Sequence, residues 1–210
     1  MSGLAPGEPS DATLLRRHAD GDADAFGLLF RRHKDRLWAV ALRIACDPDD
    51  AADALQEAMI SAFRRAGDFR GESAVTTWLH RIVVNAALDL LRRRSARSVG
   101  WSGDPDDLPV PEPRQGVDGT ASTDSRLDVD AALGTLPPPQ RAALVLVDML
   151  GYSVADASAI LGVSEGTVKS RCARGRAKLL PYLSHLRGDY PAGRNQPASG
   201  SVPSEQGGGA

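Results

Sequence analysis

Hydrophobic residues recur along most of this chain at intervals of three and four, the spacing that lines one face of an α-helix. No stretch alternates between apolar and polar residues in the manner of a half-buried β-strand. Turn-forming residues interrupt the helical spacing at 20–22, 47–48 and 66–73. The pattern therefore predicts an all-α protein whose helices are separated by short turns.

The first part of the chain predicts four helices, over about 11–19, 24–45, 49–65 and 74–94. The first helix begins after a serine and has Asp11 in its first turn, where a carboxylate suits the positive end of the helix dipole. The second carries a long apolar stripe, which predicts that it lies at the centre of a helical bundle.

The third predicted helix separates its residues into two faces. One face is apolar and brings together Ala52, Met59 and Phe63, among others. The other face is acidic, and a solvated helix surface explains it without any partner. The alternative is a docking face with one exposed aliphatic anchor, although periodicity alone favours the solvated surface. The second face contains Asp53, Gln56, Glu57 and Ile60.

The fourth predicted helix and the loop before it carry an unusual combination of residues. Leu79, Val83 and Leu90 belong to the apolar stripe of this helix. The loop at 66–73 is bracketed by glycines and still holds an aromatic residue and an arginine. Such a surface suits unstacked bases, because aromatic rings stack on bases while Arg and Asn read their edges. The rest of the helix surface contains Thr77, Trp78, His80, Arg81, Val84 and Asn85.

A segment rich in Pro, Gly, Asp and Ser divides the chain into two predicted domains, 10–95 and 124–187. The linker at 96–123 is expected to be flexible and acidic, and the tails at 1–9 and 188–210 to be disordered. Trp101 in the linker is either an incidental exposed aromatic residue or a docking point. Both readings stay open.

Charge is segregated along the chain. The net charge of −2 argues by itself against a nucleic-acid binder. From 96 to 130, however, eight acidic residues stand against three arginines, and from 164 to 187 six basic residues stand against Glu165 alone. Local charge, and not the total, therefore indicates where a nucleic acid docks.

Residues 150–180 predict a helix, a tight turn and a second helix. The first helix spans about 154–161, Gly162 forms the turn and Ser164 is a suitable N-cap for the second. Val168 and Cys172 share an apolar face with Leu179. This pattern is typical of a helix-turn-helix that reads the major groove, and the alternative is a solvated basic surface on an ordinary helical hairpin. The basic surface comprises Lys169, Arg171, Arg174, Arg176 and Lys178.

Other classes of protein find little support. Cys46 and Cys172 are far apart and are predicted to be small core residues, not a disulfide or a metal site. The four histidines are scattered, and no phosphate-binding glycine loop or nucleophile motif occurs. We therefore expect no enzymatic activity, no cofactor and no metal. No signal peptide or apolar run of about 20 residues occurs, which predicts a cytoplasmic protein without membrane insertion.

Four segments in this order resemble the extracytoplasmic-function (ECF) sigma factors of bacterial RNA polymerase, in the sigma-70 family. They lie at 50–64, 69–94, 136–153 and 161–179, and their amino-acid sequences are most similar to those of actinobacterial members of the SigM kind. The resemblance covers the two predicted domains, and a lone DNA-binding regulator that works without polymerase explains only the second of them. It implies a region 2 helical bundle followed by a region 4 helix-turn-helix.

For the first domain, the resemblance implies binding to core RNA polymerase and to the promoter −10 element. The acidic face of the third helix would dock on the β′ clamp helices through Asp53, Gln56, Glu57 and Ile60. The loop and fourth helix would capture a base flipped from the non-template strand and hold that strand open. The implied −10 residues are Phe69, Arg70, Ser73, Thr76, Thr77, Trp78, His80, Arg81 and Asn85.

For the second domain, the resemblance implies readout of the −35 element as duplex, with the opposite surface resting on the β flap. The acidic linker would follow the RNA exit path, and an anti-sigma factor would hold the protein inactive until a stress releases it. Ser158 stands where the family usually has Ala, and Cys172 where a larger aliphatic residue is common. The implied −35 residues are Ser164, Glu165, Thr167, Lys169, Ser170, Arg171 and Arg174.

Overall fold

The computed structural model describes residues 8–99, 103, 108–110 and 124–183. Within this part every regular element is helical, as the hydrophobic spacing predicts. The expectations for Trp101, for most of the linker and for nearly all of both tails concern residues outside it.

The N-terminal helices, α1 to α4, begin at the residues that local chemistry favours. Ser10 caps α1 by accepting a hydrogen bond from the backbone N–H of Thr13 at 3.2 Å. Asp47 caps α3 in the same way, accepting from the backbone N–H of Asp50 at 2.9 Å. The elements are α1 (Asp11–Ala19), α2 (Ala25–Ala45), α3 (Pro48–Arg64), a 3₁₀ turn (Ala66–Asp68) and α4 (Val75–Val99).

Two of the C-terminal helices, α5 to α8, begin earlier than expected. The sequence predicts helices over about 128–134 and 140–150, and the first of these begins at Asp124 instead. The second starts at Pro138, because proline suits the first position of a helix. It ends in a single π-helical turn, and Gly151 then reverses the chain with a φ of +73°. The elements are α5 (Asp124–Gly134), α6 (Pro138–Leu144), the π turn (Val145–Met149), α7 (Val154–Leu161) and α8 (Glu165–Leu183).

Small residues let α3 approach α2 and α4 closely. The buried face of α3 is a row of alanines one helical turn apart, each fully excluded from solvent. Polar contacts fix the surrounding helices, since His33 of α2 lies 2.8 Å from the Asp11 carboxylate of α1, and Arg94 of α4 contacts Asp50 of α3. The alanines are Ala51, Ala54, Ala58 and Ala62.

Two predictions about α3 and α4 were wrong in detail. Ala52 is exposed and Phe63 is 51% exposed, because the alanine row and not the larger residues forms the buried seam. The Phe63 ring instead packs at 4.3 Å from the ring of His18. Helix α4 continues to Val99 and does not end near Arg94.

Cys46 also departs from expectation, since it is not an ordinary core residue of a helix. It caps the C-terminus of α2 in the left-handed conformation, with a φ of +56°, and it is half-buried. Burial raises the pKa of its thiol, against a smaller opposing effect of Arg141.

The N-terminal and C-terminal helices pack into one continuous hydrophobic core. Helix α4 contacts α7 and α6, and α2 contacts α5 and α6. Leu108 is fully buried in this core, so at that point the linker predicted to be flexible is packed. The protein therefore adopts a closed arrangement in which each group of helices covers part of the other.

Candidate nucleic-acid and polymerase interfaces

The turn between α7 and α8 has the geometry of a helix-turn-helix. Gly162 adopts a φ of +66°, a conformation that favours glycine, and ends α7. Ser164 then accepts a hydrogen bond from the backbone N–H of Thr167 at 3.2 Å and caps α8, as predicted. Ser158, which departs from the family pattern, donates a hydrogen bond of 2.7 Å to the Val163 carbonyl and so braces the turn.

The inner face of α8 packs against the other C-terminal helices, α5 to α7. Val168 and Cys172 are buried, as expected from their spacing, and burial raises the pKa of the Cys172 thiol. Gly175 lies on the same face so close to α6 that an added Cβ would meet Leu144 at 2.7 Å. Tight packing on this side leaves the opposite face of α8 directed away from the core.

The outer face of α8 presents most of the predicted −35 residues to solvent. Glu165 and Lys169 form an exposed ion pair at 3.7 Å, and the Arg174 guanidinium donates to the Ser170 hydroxyl at 3.2 Å. Arg171 is the exception, being only 6% exposed, so it does not belong to the open basic surface. The residues that lie on the outer face, exposed or partly so, are Ser164, Glu165, Thr167, Lys169, Ser170 and Arg174.

Arg176 is also removed from the predicted basic surface, although it is exposed. Its guanidinium donates two hydrogen bonds to the Asp148 carboxylate, at 2.9 Å and 2.6 Å. These bonds raise the pKa of Arg176 above its usual value. The pair joins α8 to the π turn and so braces the helix-turn-helix.

A cavity of about 320 Å³ opens between α3 and α4. Three predicted −10 residues, Trp78, Arg81 and Asn85, belong to its α4 wall. The α3 side is also lined by Ser61 and by Arg65, the residue that caps α3, both of which sequence reasoning missed. Their signal was a spacing of four and eight residues from Glu57. The full lining is Glu57, Ser61, Arg65, Trp78, Arg81, Ile82, Asn85, Ala86 and Asp89.

The loop before α4 is anchored beside this cavity. Phe69 packs edge-to-face on Trp78, with ring centroids 5.6 Å apart. Arg70 and Ser73 are exposed, and Gly71 allows the loop to turn with a φ of +76°. The structure thus brings the loop and the aromatic residue of α4 together, as the predicted site requires. Thr76 and Thr77 are half-buried at the start of the helix.

His80 and Val84 do not lie on this open surface. His80 is 3% exposed and Val84 is fully buried, because α7 and α6 cover the side of α4 that faces away from the cavity. The Tyr152 hydroxyl lies 2.7 Å from His80 Nδ1, and burial, with Arg36 and His33 adding to it, lowers the pKa of His80 to about 4. The imidazole is therefore neutral at pH 7.

The predicted polymerase-docking face of α3 is open. Asp53, Gln56 and Glu57 are exposed, and Ile60 is 46% exposed, which is unusual for a large aliphatic side chain. Glu57 accepts two hydrogen bonds from Arg93 of α4, at 3.3 Å and 2.7 Å, which raise the pKa of Arg93. Since Glu57 also lines the cavity, the acidic face and the predicted −10 surface adjoin.

Comparisons with known proteins give a family match for the N-terminal helices and another for the C-terminal helices. Residues 29–97 match the family described as sigma-70 region 2, and residues 126–179 match sigma-70 region 4. The ECF sigma factor SigM of Mycobacterium tuberculosis is 50% identical over 179 residues, which cover 85% of this chain and 87% of that protein. This chain belongs to the ECF sigma factors. The ECF sigma factor SigE of Mycolicibacterium smegmatis is 39% identical over 84% of this chain and 70% of that protein.

Solved structures of sigma factors share the fold of this ECF sigma factor. The sigma factor RpoE of Bartonella quintana, in complex with the anti-sigma factor NepR, aligns with a TM-score of 0.58 at 27% identity, covering 80% of this chain and all of that one. CnrH, in complex with the cytosolic domain of CnrY, aligns with a TM-score of 0.57 at 29% identity, covering 87% of this chain and all of that one.

The described residues of this ECF sigma factor hold neither a cluster of metal ligands nor a membrane-spanning helix. No three His, Cys, Asp or Glu side chains there converge in a group that could hold a metal ion. None of the described helices has both the length and the apolar character needed to cross a membrane.

Proposed function

We propose that this ECF sigma factor binds core RNA polymerase, carries it to promoters through two DNA-binding surfaces and promotes strand opening. Region 2 would comprise residues 10–95, and region 4 residues 124–187, joined by the linker at 96–123. The observation that carries this proposal is the pairing of an exposed helix-turn-helix with an aromatic and arginine-lined cavity in one chain.

Region 4 would read the −35 element with the outer face of α8. A helix fits the major groove of duplex DNA, and its polar side chains divide between base edges and phosphates. Lys169 and Arg174 are suited to phosphates, while Glu165 is suited to accept a hydrogen bond from a cytosine amino group. Arg171, being buried, would support the helix and not contact DNA.

Region 2 would hold the opened −10 element at the cavity between α3 and α4. Taking a base out of the stack costs a few kcal/mol, and stacking on an aromatic side chain returns about 1–3 kcal/mol. Trp78 and Phe69 offer that surface, while Arg81 and Asn85 offer hydrogen-bond donors beside it. Ser61 and Arg65 of the opposite wall would join this site.

The acidic face of α3 would dock on the β′ clamp helices of core polymerase. Ile60 supplies an apolar anchor, and Asp53 supplies charge around it, an arrangement that favours a basic partner surface. Glu57 would bridge the two sites, because it lies at the edge of both. Docking would then place the −10 cavity directly beside the polymerase clamp.

The remaining parts of the proposal concern regulation and chemistry. We infer an anti-sigma partner, supported by the two similar sigma factors that were solved with NepR and with the cytosolic domain of CnrY. The chain would act in the cytoplasm, where it selects promoters while the polymerase performs the chemistry. We accordingly propose that it is not an enzyme and needs no cofactor.

Run-off transcription with core polymerase on a promoter library tests the proposal. The full chain is expected to direct initiation, and the double variant Asp53→Ala/Gln56→Ala is expected to need roughly tenfold more protein for half-maximal transcription. The matched control Asp35→Ala removes an exposed carboxylate from α2 and should behave as the wild type.

Two outcomes would contradict the proposal. If the full chain directs no initiation at any promoter, it does not act as a sigma factor. If it binds promoter duplex tightly but ignores core polymerase, it is a lone DNA-binding regulator.

A further inference from the structure

A second large apolar side chain is exposed beside the acidic face of α3. Phe63 is 51% exposed and Ile60 46%, and a spacing of three residues places both on one side of the helix. Adjacent exposed apolar side chains with a polar rim are typical of protein–protein contacts. Phe63 is not among the docking residues that the family resemblance implies, so its exposure calls for a separate explanation.

Two other rings hold the Phe63 ring in place. The ring of His18 in α1 lies 4.3 Å from it, and the ring of Phe26 in α2 meets it edge-to-face at 5.2 Å. His18 and Phe26 are also 5.2 Å apart, so α1, α2 and α3 each contribute one ring to a single cluster. Because its neighbours already fix it on one side, the exposed Phe63 ring has little conformational freedom to lose on binding.

Helix α1 also fixes the backbone that carries Phe63. His18 Nε2 lies 3.1 Å from the Phe63 carbonyl oxygen and is the donor, since a carbonyl only accepts. This carbonyl is one of the last four of α3, which lack partners of the usual intrahelical kind. His18 Nδ1 is buried and has no hydrogen-bond partner within the described part of the chain. The bond to Phe63 is therefore the polar contact that orients this imidazole.

Helix α1 lies outside the residues that match sigma-70 region 2, which begin at 29. It is nevertheless part of the N-terminal bundle, because Leu14 and Leu15 are buried in the core. It contacts both α2 and the 3₁₀ turn that follows α3. A helix beyond the family match thus builds part of the surface next to the docking face.

The exposed ring and the −10 cavity lie on opposite sides of Ile60. Successive helical residues are about 100° apart, so Phe63 lies about 60° to one side of Ile60. Ser61, which lines the cavity, lies about 100° to the other side. The Phe63 ring is therefore continuous with the docking face and separate from the proposed DNA site. A partner that covers Ile60 is well placed to cover Phe63 as well.

We propose that α1 and α3 build a second apolar anchor for core RNA polymerase, in which docking buries Phe63 and His18 is the positioning residue that holds it. The proposal rests on the proposed function for the identity of the partner. Aromatic side chains that fill a pocket of the partner often dominate the binding energy of an interface. The exposed Asp53 and Gln56 supply the polar rim of the same face.

The affinity of the labelled full-length chain for core polymerase tests the anchor. Phe63→Ala should weaken binding roughly thirtyfold, as loss of a central aromatic anchor does. Phe63→Leu keeps an apolar side chain but not the ring, and it should show a smaller loss. The matched control is Leu28→Ala, which removes a side chain that is 45% exposed on the opposite side of α2 from Phe26 and should bind as the wild type. Urea unfolding shows which variants are folded, and Phe63→Leu decides the matter if Phe63→Ala is not.

The positioning role of His18 is tested by His18→Ala in two backgrounds. If His18 acts through Phe63, its removal should weaken polymerase binding roughly fivefold in the wild type and have no further effect in Phe63→Ala. A general loss of stability would instead weaken both backgrounds equally, and that result would overturn the role of α1.

Three results would overturn the anchor itself. Wild-type affinity in both Phe63 variants, with weakened binding in Ile60→Ala, would show that docking ends at Ile60. If Phe63→Ala bound polymerase normally but its holoenzyme lost affinity for a −10 single strand, the ring would belong to the DNA site. If the wild type itself did not bind core polymerase, the proposed function would fail and the anchor with it.

Discussion

Helices α4 and α8 both carry predicted DNA contacts, yet they are packed in different ways. Helix α8 buries one face against α6 and α7 and leaves the opposite face open. Helix α4 is covered by α7 on one side and borders the α3 cavity on the other. The difference matches the two forms of DNA: a duplex needs a protruding helix that enters a groove, whereas a single strand needs a recess that holds bases.

The largest expected effect concerns the contact by which the C-terminal helices cover the N-terminal ones. Arg141→Ala opens a cavity and leaves the carbonyls of Ile44, Leu136 and Gly134 without their charged donor. We therefore expect the free energy of unfolding to fall by about 3–5 kcal/mol. Urea unfolding of the full chain measures it. Arg141→Met keeps much of the volume, so a smaller loss in that variant would separate packing from hydrogen bonding. A loss below 1 kcal/mol in Arg141→Ala would show that the contact is dispensable.

The second effect is a pH dependence that belongs to α4 and not to α8. The pKa of His80 is about 4 in the folded protein, below its usual 6.5, so the unfolded chain binds more protons between these values. The free energy of unfolding therefore has its full contribution from His80 above pH 6.5. It falls as the pH drops towards 4, by at most about 3 kcal/mol. Unfolding of wild type and His80→Gln across this range measures the difference. Parallel curves would contradict the burial of His80.

The smallest effect tests the inner face of α8. An added Cβ at Gly175 would meet Leu144 at 2.7 Å, and overpacking of this kind costs about 1–3 kcal/mol. Gly175→Ala should therefore destabilise the chain in thermal unfolding. In the control Gly166→Ala, where the nearest atom to the new Cβ is the Ser164 hydroxyl at 3.7 Å, stability should hold or rise. Equal behaviour of the two variants would mean that α8 is packed less tightly than described.

Helix ends and the exposed face of α8 were predictable from the sequence because their causes are local. Ser10 and Ser164 cap the helices that follow them, and Gly162 forms the turn between α7 and α8. The basic and apolar residues of α8 separate by helical periodicity, since one side of the helix faces the core and the other faces solvent. Arg171 was misplaced because a charged side chain was assigned to solvent, although it lies on the buried stripe of α8 with Val168, Cys172 and Gly175.

The surroundings of α4 were not predictable, because they depend on residues distant in sequence. His80 and Val84 look like surface positions in a helix with one buried face, but α4 has two. Tyr152 lies 72 residues from His80, and Arg141 lies 97 residues from Ile44. In α3 the larger apolar residues suggested the buried face, while the close approach of three helices required alanines there. Periodicity shows which residues share a face, but not how many faces are covered.

Binding of holoenzyme to two labelled DNA probes tests the division between α4 and α8 most directly. One probe is a −35 duplex and the other a −10 single strand. Arg174→Ala is expected to weaken the duplex about tenfold and to leave the single strand unchanged, because it removes a contact on the outer face of α8. Trp78→Ala is expected to weaken the single strand roughly tenfold, by loss of base stacking, and to leave the duplex unchanged. If both variants weakened the same probe, the two helices would not serve different forms of DNA.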